Sequence, residues 1–314
     1  MVLGPVAPED LGLTLMHEHV AFDCYVRPER PGHYDWDEVA AAAGDELAAL
    51  RATQGVRTLV EMTTIGNERS PEGLAEVARR SGLNIVACTG FWMEPPLKEL
   101  VGSDDVEALA DLMAREVSEG MEGTAIRAGI IKVSTSERIT PVEERVARAA
   151  ARASRRTGAA ITTHCQHGQQ GLAQLDIFAS EGMDLSRVIV GHMGCNPDLE
   201  THRALARRGA YIGYDRIGQG HEENDDLVAP LVARMVALGY ERQMLLSQDT
   251  SVFLFGVRRP PLPSHLGGHS VHERPAYDHL WHGFLPRLRL LGVSEAAFHT
   301  MLVENPARVL PIVG

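Results

Sequence analysis

The sequence predicts an α/β fold, a (β/α)8 TIM barrel with a metal site at the C-terminal face of its strands. Three features point there: eight short apolar runs, helical spacing between them, and ligand-type side chains where those runs end. Strands that read as plain apolar runs are buried on both faces, as in a closed parallel barrel covered by helices. The 314 residues suit one barrel with a few long loops. No linker, low-complexity tract or charge block divides them, so residues 1–314 read as a single barrel domain. An open doubly wound sheet competes, but no GxGxxG turn opens a helix.

The first expected strand is 12–19 (GLTLMHEH), followed by helical spacing over Trp36–Ala52 that Asp35 or Asp37 can cap. Strand 56–63 leads to Pro71–Ser81, where Ser70-Pro71 sets a cap before proline at the first helical position. Strand 84–90 precedes Val106–Glu119, and strand 128–134 precedes Val142–Thr157. The second half continues with 159–164 and Leu172–Ser180, then 187–192 and Leu199–Arg208. Strand 209–214 with Leu227–Leu238, and strand 243–249 with two helical patterns after residue 275, complete the count. A long Pro- and Gly-rich loop, about 256–275, follows the last strand and has the length of a lid or specificity loop.

Composition narrows the partners. Hydrophobic residues make up 44% but aromatics only 5%, so aliphatic side chains must fill the core. A formal charge of −12 argues against nucleic acid, which is bound through concentrated Lys and Arg, and disfavours an anionic membrane surface. Four scattered cysteines without a CxxC pair, and no signal-like start, lead to the expectation of reduced thiols in the cytoplasm.

The chemistry concentrates in six residues. His17 and His19, two apart on a strand, point to one face and can share a metal ion, with Glu18 turned away. Lys132 lies in GIIKV, where a bare ammonium is costly to bury. Either a carboxylate pairs with it, or CO2 carbamylates it into an anionic bridge between two cations. His164 and His192 end consecutive strands and offer nitrogen to a second ion, although each alone reads as a core histidine. Asp249 offers a hard oxygen and a general base, or else a helix cap. All six fall at carboxyl ends of strands, where barrel enzymes place their active sites. Cys165 and Cys195 raise a Cys/His zinc site as an alternative, weakened because adjacent strand residues face opposite ways. Cys88 reads as small core packing, and the histidines clustered at 265–282 are not assigned to metal.

These residues sit in segments that resemble the phosphotriesterase family of the amidohydrolase superfamily along essentially the whole chain. The matching segments are LGLTLMHEH (11–19), TGFWMEPPL (89–97), GTAIRAGIIKVST (123–135), AAARASRRTGAAITTH (149–164), EGMDLSRVIVGH (181–192) and the closing NPAR (305–308). The resemblance implies a binuclear hydrolase. His17, His19 and Asp249 would hold the buried ion and His164 and His192 the exposed one, with carbamylated Lys132 and a hydroxide between them. That hydroxide would attack the C=O or P=O of a small ester substrate: a lactone, a carboxyl ester or an organophosphate. Zinc suits such a His-rich site; cobalt, manganese and iron are alternatives. A homodimer is also implied.

The substrate signals conflict. Trp92, with Met93 beside it, is similar to the pocket tryptophan of the organophosphate-hydrolysing members, whereas Asp215-Arg216 is similar to the lactonase pattern. Phe253 is expected in the same pocket. Cys195 stands where both branches usually carry an aspartate that relays protons, and a thiol does not replace a carboxylate there. Asp215 and Cys195 are therefore placed just behind the ligands. The competing readings are an organophosphate triesterase as the main activity, a mononuclear deaminase-type enzyme that leaves Lys132 without a bridging role, and a non-catalytic barrel.

Overall fold

Eight parallel strands follow one another in chain order around the sheet: β1 (Leu13–Phe22), β2 (Val56–Glu61), β3 (Asn84–Gly90), β4 (Ile130–Thr135), β5 (Ile161–Cys165), β6 (Val188–Val190), β7 (Tyr211–Tyr214) and β8 (Met244–Leu246). This computed structural model describes residues 1–23, 34–220, 224–268 and 273–313; Cys24, His269, His272 and that part of the expected lid loop lie outside the described residues. Between the strands lie α1 (Trp36–Gln54), α2 (Pro71–Ser81), α3 (Pro96–Val101), α4 (Val106–Ser118), α5 (Pro141–Thr157), α6 (Gly171–Ser180), α7 (Leu199–Arg207) and α8 (Asp225–Ala237). The helix starts follow from their caps. Asp35 accepts from the backbone of Asp37 and Glu38, Ser70 from Gly73, and Thr140 forms a reciprocal capping box with Glu143.

The ring closes through the chain after β8 rather than through β8 itself. The Asp249 N–H donates to the His17 carbonyl and the His19 N–H to the Thr250 carbonyl, each at 2.9 Å. Strand β9 (Ser251–Leu254) then pairs in parallel with β1, and a short β10 (Val257–Arg258) folds back on it. The eighth strand was expected to run to residue 249. It stops at Leu246 because the amides of Gln248 and Thr250 are taken by the Glu18 carboxylate instead of a ladder, and Asp249 turns into a left-handed conformation.

Two apolar layers result. Aliphatic side chains between sheet and helices form the large outer core. The barrel interior is filled by Met16, Val60, Val86, Cys88, Ile130, Ala160, Ile189, Tyr211 and Leu245, with Leu11, Val309 and Leu310 below. Side chains that alternate along a strand share one face, so this floor fixes what rises above it. Lys132 stands one step above Ile130, His164 two above Ala160, Asp215 two above Tyr211, and Asp249 two above Leu245. Lys132 is therefore the third of six residues in β4, deeper than the strand-end position expected for it. In β1 the alternation breaks: Met16 faces the interior, and a register shift between Leu15 and Glu18 re-aims the chain so that His17 and His19 face the mouth.

Candidate metal centre

The six expected ligand-type residues converge at the mouth. The Nε2 atoms of His17 and His19 lie 3.4 and 3.2 Å from the same Asp249 oxygen, Oδ1, and His192 Nε2 lies 4.0 Å from Oδ2. Lys132 Nζ is 3.0 Å from His17 Nε2. The imidazole of His164 stands edge-on to His192 with ring centroids 4.4 Å apart. His192 lies two residues beyond β6, and it reaches this position only because its backbone is left-handed (φ 57°). His164 is the penultimate residue of β5.

Each imidazole is oriented from behind. Asp215 accepts from His17 Nδ1 and His192 Nδ1, both at 2.9 Å, and also from the His192 backbone N–H at 2.7 Å. The carboxylate fits because Gly191 and Gly213 lie against it; a Cβ on either would come within 2.9 and 2.7 Å of Oδ2. His19 Nδ1 meets the Thr63 hydroxyl at 2.8 Å, and Thr63 is hydrogen-bonded to the buried Glu61 carboxylate. Sequence reasoning placed Asp215 behind the ligands but missed Glu61 and Thr63. A glutamate at the carboxyl end of a strand, after the apolar Leu59-Val60, was the available signal.

Two carboxylates thus sit among histidines, and both triads, His17–His192–Asp215 and His17–His19–Asp249, have ligand spacing. They differ in chemistry. Asp215 faces two Nδ1 atoms at hydrogen-bond distance, the arrangement by which an outer carboxylate fixes a ligand's tautomer. Asp249 faces the opposite nitrogens, those that such tautomers leave with a lone pair. The second triad is the one suited to a cation. His164 Nδ1 adds an independent sign: Nε2–H donates to Gln166 Oε1 at 2.7 Å, which leaves the buried Nδ1 lone pair without a hydrogen-bond partner, and such an atom calls for a donor or a cation. The donor set of His17, His19 and Asp249 fits a cation, and His164, His192 and Lys132 lie beside it.

The electrostatics are those of a desolvated cluster. Burial, reinforced by Lys132, pushes His17 down to about 4 against the pull of Asp215 and Asp249. Burial also opposes charge on His19, but the Asp249 and Glu61 carboxylates, as acceptors for its ring, outweigh it and raise the group to about 9. A proton and a divalent cation thus compete for the same His19 nitrogen. Burial holds Lys132 below the ordinary amine range, and it holds His164 well below the ordinary imidazole range, assisted by His192 and Lys132. Burial opposes charge on Asp249, but the surrounding histidines keep its carboxyl far below the usual range.

A cavity of about 450 Å³ opens above the cluster. Trp92, Met93 and Arg216 line it as expected, together with Phe22, Leu254 and Phe255. Trp92 packs edge-on to His164, with centroids 4.4 Å apart. Arg216 Nε lies 3.5 Å from Asp249 Oδ2, and its Nη1 lies 3.9 Å from Cys195 Sγ. The described part of the expected lid contributes Arg259, Glu273 and Arg274. Its backbone is tied to the Arg216 loop by the Gly268 N–H donating to the Gly218 carbonyl at 2.7 Å.

Phe253 is a correction. It is buried in the outer core edge-on to Tyr34, not in the cavity, where Leu254 of β9 and Phe255, beyond the strand in a left-handed conformation, take the open side. The Cys/His alternative also loses its geometry. Cys165 points into the outer core, away from His164, and Cys195 faces Arg216. Cys88 packs in the barrel interior as expected. Of the later histidines, His279 is buried between Asp225 and the Ser264 carbonyl rather than solvated.

Comparison with known proteins supplies the context. The family described as "Phosphotriesterase family" matches residues 1–310. A "Phosphotriesterase homology protein" of Mycobacterium tuberculosis is 37% identical, covering 98% of this chain and 95% of its own. A mutant of an organophosphorus hydrolase from Deinococcus radiodurans superposes with a TM-score of 0.87 at 36% identity, covering 99% of this chain and 96% of its own. A mutant of a PTE-like lactonase from the same organism gives 0.84 at 34%, covering 99% of both chains.

Proposed function

The chain belongs to the phosphotriesterase family of hydrolases, and from that premise we propose that it hydrolyses small esters with two divalent cations and a CO2-derived carbamate on Lys132. The observation that carries this reading is the convergence of His17, His19 and Asp249 on one point, beside a partnerless His164 nitrogen and a buried lysine. Bound there, the cations would supply Lewis acidity and a water acidic enough to act as nucleophile near neutral pH. Zinc is the proposed metal, with cobalt, manganese or iron as alternatives.

The chain's own residues do the rest. Asp215 and the Glu61–Thr63 pair hold the imidazoles in register and in the correct tautomer. Asp249 would take a proton from the attacking water. Trp92, Met93, Phe22 and Phe255 exclude water from one side of the ester, and Arg216 offers hydrogen bonds to its oxygens. The segment 256–275 serves as the specificity loop. The substrate is a lactone, carboxyl ester or organophosphate. Relatives of both kinds exist, an organophosphorus hydrolase and a lactonase. We further propose a cytoplasmic homodimer, testable by light scattering. No described helix is long and apolar enough to cross a membrane.

Metal analysis with a hydrolysis screen tests the reading. About two equivalents of metal, loss of activity on chelation, and turnover of lactones or aryl phosphotriesters are expected. One equivalent would favour a mononuclear enzyme, and a metal-replete protein inert on every ester would overturn the proposal. Cys195→Asp, compared on both substrate classes, tests the relay: a gain on phosphotriesters is expected, and no gain counts against it.

A further inference from the structure

Two residues of the centre, His192 and Asp249, adopt left-handed backbone conformations (φ 57° and 53°) that side chains with a Cβ rarely occupy. Such conformations persist only where the surroundings hold them. For His192 the holder is visible: its own N–H is bound by Asp215. The Asp249 N–H is spent on closing the barrel against His17 and its carbonyl accepts from Gln219 Nε2 at 2.6 Å, and the turn is further held through its neighbours. Glu18 does this. Its Oε1 accepts from the Gln248 N–H at 2.9 Å and the Ser247 hydroxyl at 2.7 Å, and its Oε2 accepts from the Thr250 N–H at 2.9 Å. The Ser247 oxygen in turn accepts from the His17 N–H at 2.9 Å. One carboxylate, fully buried, therefore grips the residues on both sides of Asp249 while sitting between His17 and His19 in sequence.

We infer that Glu18 is a positioning residue: it fixes the Asp249 carboxylate against the two histidines that flank Glu18 in the chain. A side chain needed only to fill this space would be apolar, since a buried carboxylate is tolerated only where donors meet it. Here three donors do, and all come from the four residues that carry Asp249 past β1. The middle position of the His17-x-His19 pattern thereby couples the first strand's ligands to the last strand's ligand. The inference deepens the metal-centre reading and rests on it for its functional consequence.

Glu18→Gln keeps the volume and removes one acceptor, turning an amide N–H toward a backbone donor. Four proteins are compared: wild type, Glu18→Gln, Asp249→Asn and the double variant. The first readout is amide hydrogen exchange of Gln248 and Thr250 in metal-free protein, where Glu18→Gln is expected to lose protection at these two sites. The second is zinc affinity by chelator competition, expected to fall about 10- to 100-fold, the range for an outer partner of a ligand. In the Asp249→Asn background, Glu18→Gln should add no further loss, because the group it positions is already gone. Unchanged zinc affinity in Glu18→Gln, or a full additive loss in the double variant, would overturn the inference. If Glu18→Gln does not fold, Ser247→Ala removes one donor and keeps the carboxyl group; it should show a smaller loss in the same direction, and no loss counts against the idea. A wild type that binds no zinc would sink the metal reading instead, while exchange at Gln248 and Thr250 would still report on Glu18's grip.

Discussion

Lys132 Nζ and His17 Nε2 stand 3.0 Å apart inside the barrel, an amine against an imidazole with both side chains buried. Burial disfavours charge on either, and Lys132 further disfavours charge on His17. A neutral amine in such a place is a nucleophile toward CO2, whereas an ammonium is not. Wild-type protein incubated with 13C-bicarbonate and metal should show a carbamate carbon resonance that Lys132→Met lacks. The variant should also lose activity by at least about 100-fold, beyond the effect of an outer-shell partner, and hold less metal. A variant with full metal content and activity would refute the bridging role.

Asp215 binds two imidazoles at once, so its amide analogue cannot serve both: the Asn oxygen accepts from one Nδ1–H while its NH2 group faces the other. Asp215→Asn should weaken metal binding by about 10- to 100-fold, with secondary structure by circular dichroism retained. Equal metal affinity in variant and wild type would show the clamp to be unimportant.

Phe253 and Trp92 separate packing from recognition. Phe253→Ala should destabilise the protein by about 3–5 kcal/mol through lost burial and a cavity, and leave KM nearly unchanged in the protein that remains folded. Trp92→Ala removes a cavity wall at His164, so KM should rise with little change in melting temperature. Denaturant melts and steady-state kinetics on the two variants check this, and a reversed pattern would restore Phe253 to the pocket.

His202 makes stability pH-dependent away from the centre. It is buried, donates Nε2–H to the Asn196 carbonyl and accepts from the Tyr214 hydroxyl, each at 2.8 Å. Burial lowers it from its ordinary 6.5. The unfolded chain therefore binds a proton that the native state refuses. Its stabilising contribution is fully present above pH 6.5 and is lost as pH falls from there through the native value. The slope from one such group is at most about 1.4 kcal/mol per pH unit. His202→Gln should flatten the fall in unfolding free energy below pH 6.5; parallel curves for the two proteins would contradict the assignment.

Much of this was legible in the sequence, for a definite reason. Strand periodicity and the rule that barrel enzymes work at one end place His17, His19, Lys132, His164, His192 and Asp249 at one mouth without any coordinates. What was hidden depends on breaks in that periodicity. The register shift in β1 that lets Met16 and His17 both face inward carries no local signature. Nor do the left-handed turns at His192 and Asp249, both at residues other than glycine. Phe253 was misplaced because it lies on β9, a separate strand formed after β8 ends at Leu246, and that strand turns it into the outer core. The Glu61–Thr63 support and the double grip of Asp215 are contacts between distant segments, which spacing along one strand cannot reveal.

The packed floor beneath Lys132, from Ile130 and Ala160 round to Tyr211 and Leu245, has one further consequence. Among the described residues it closes the interior below the cluster and leaves the mouth open. On the proposed chemistry, CO2, both cations and the ester must queue at the same entrance, and the deepest passenger has to board first. On that chemistry, assembly of the centre has an order imposed by geography.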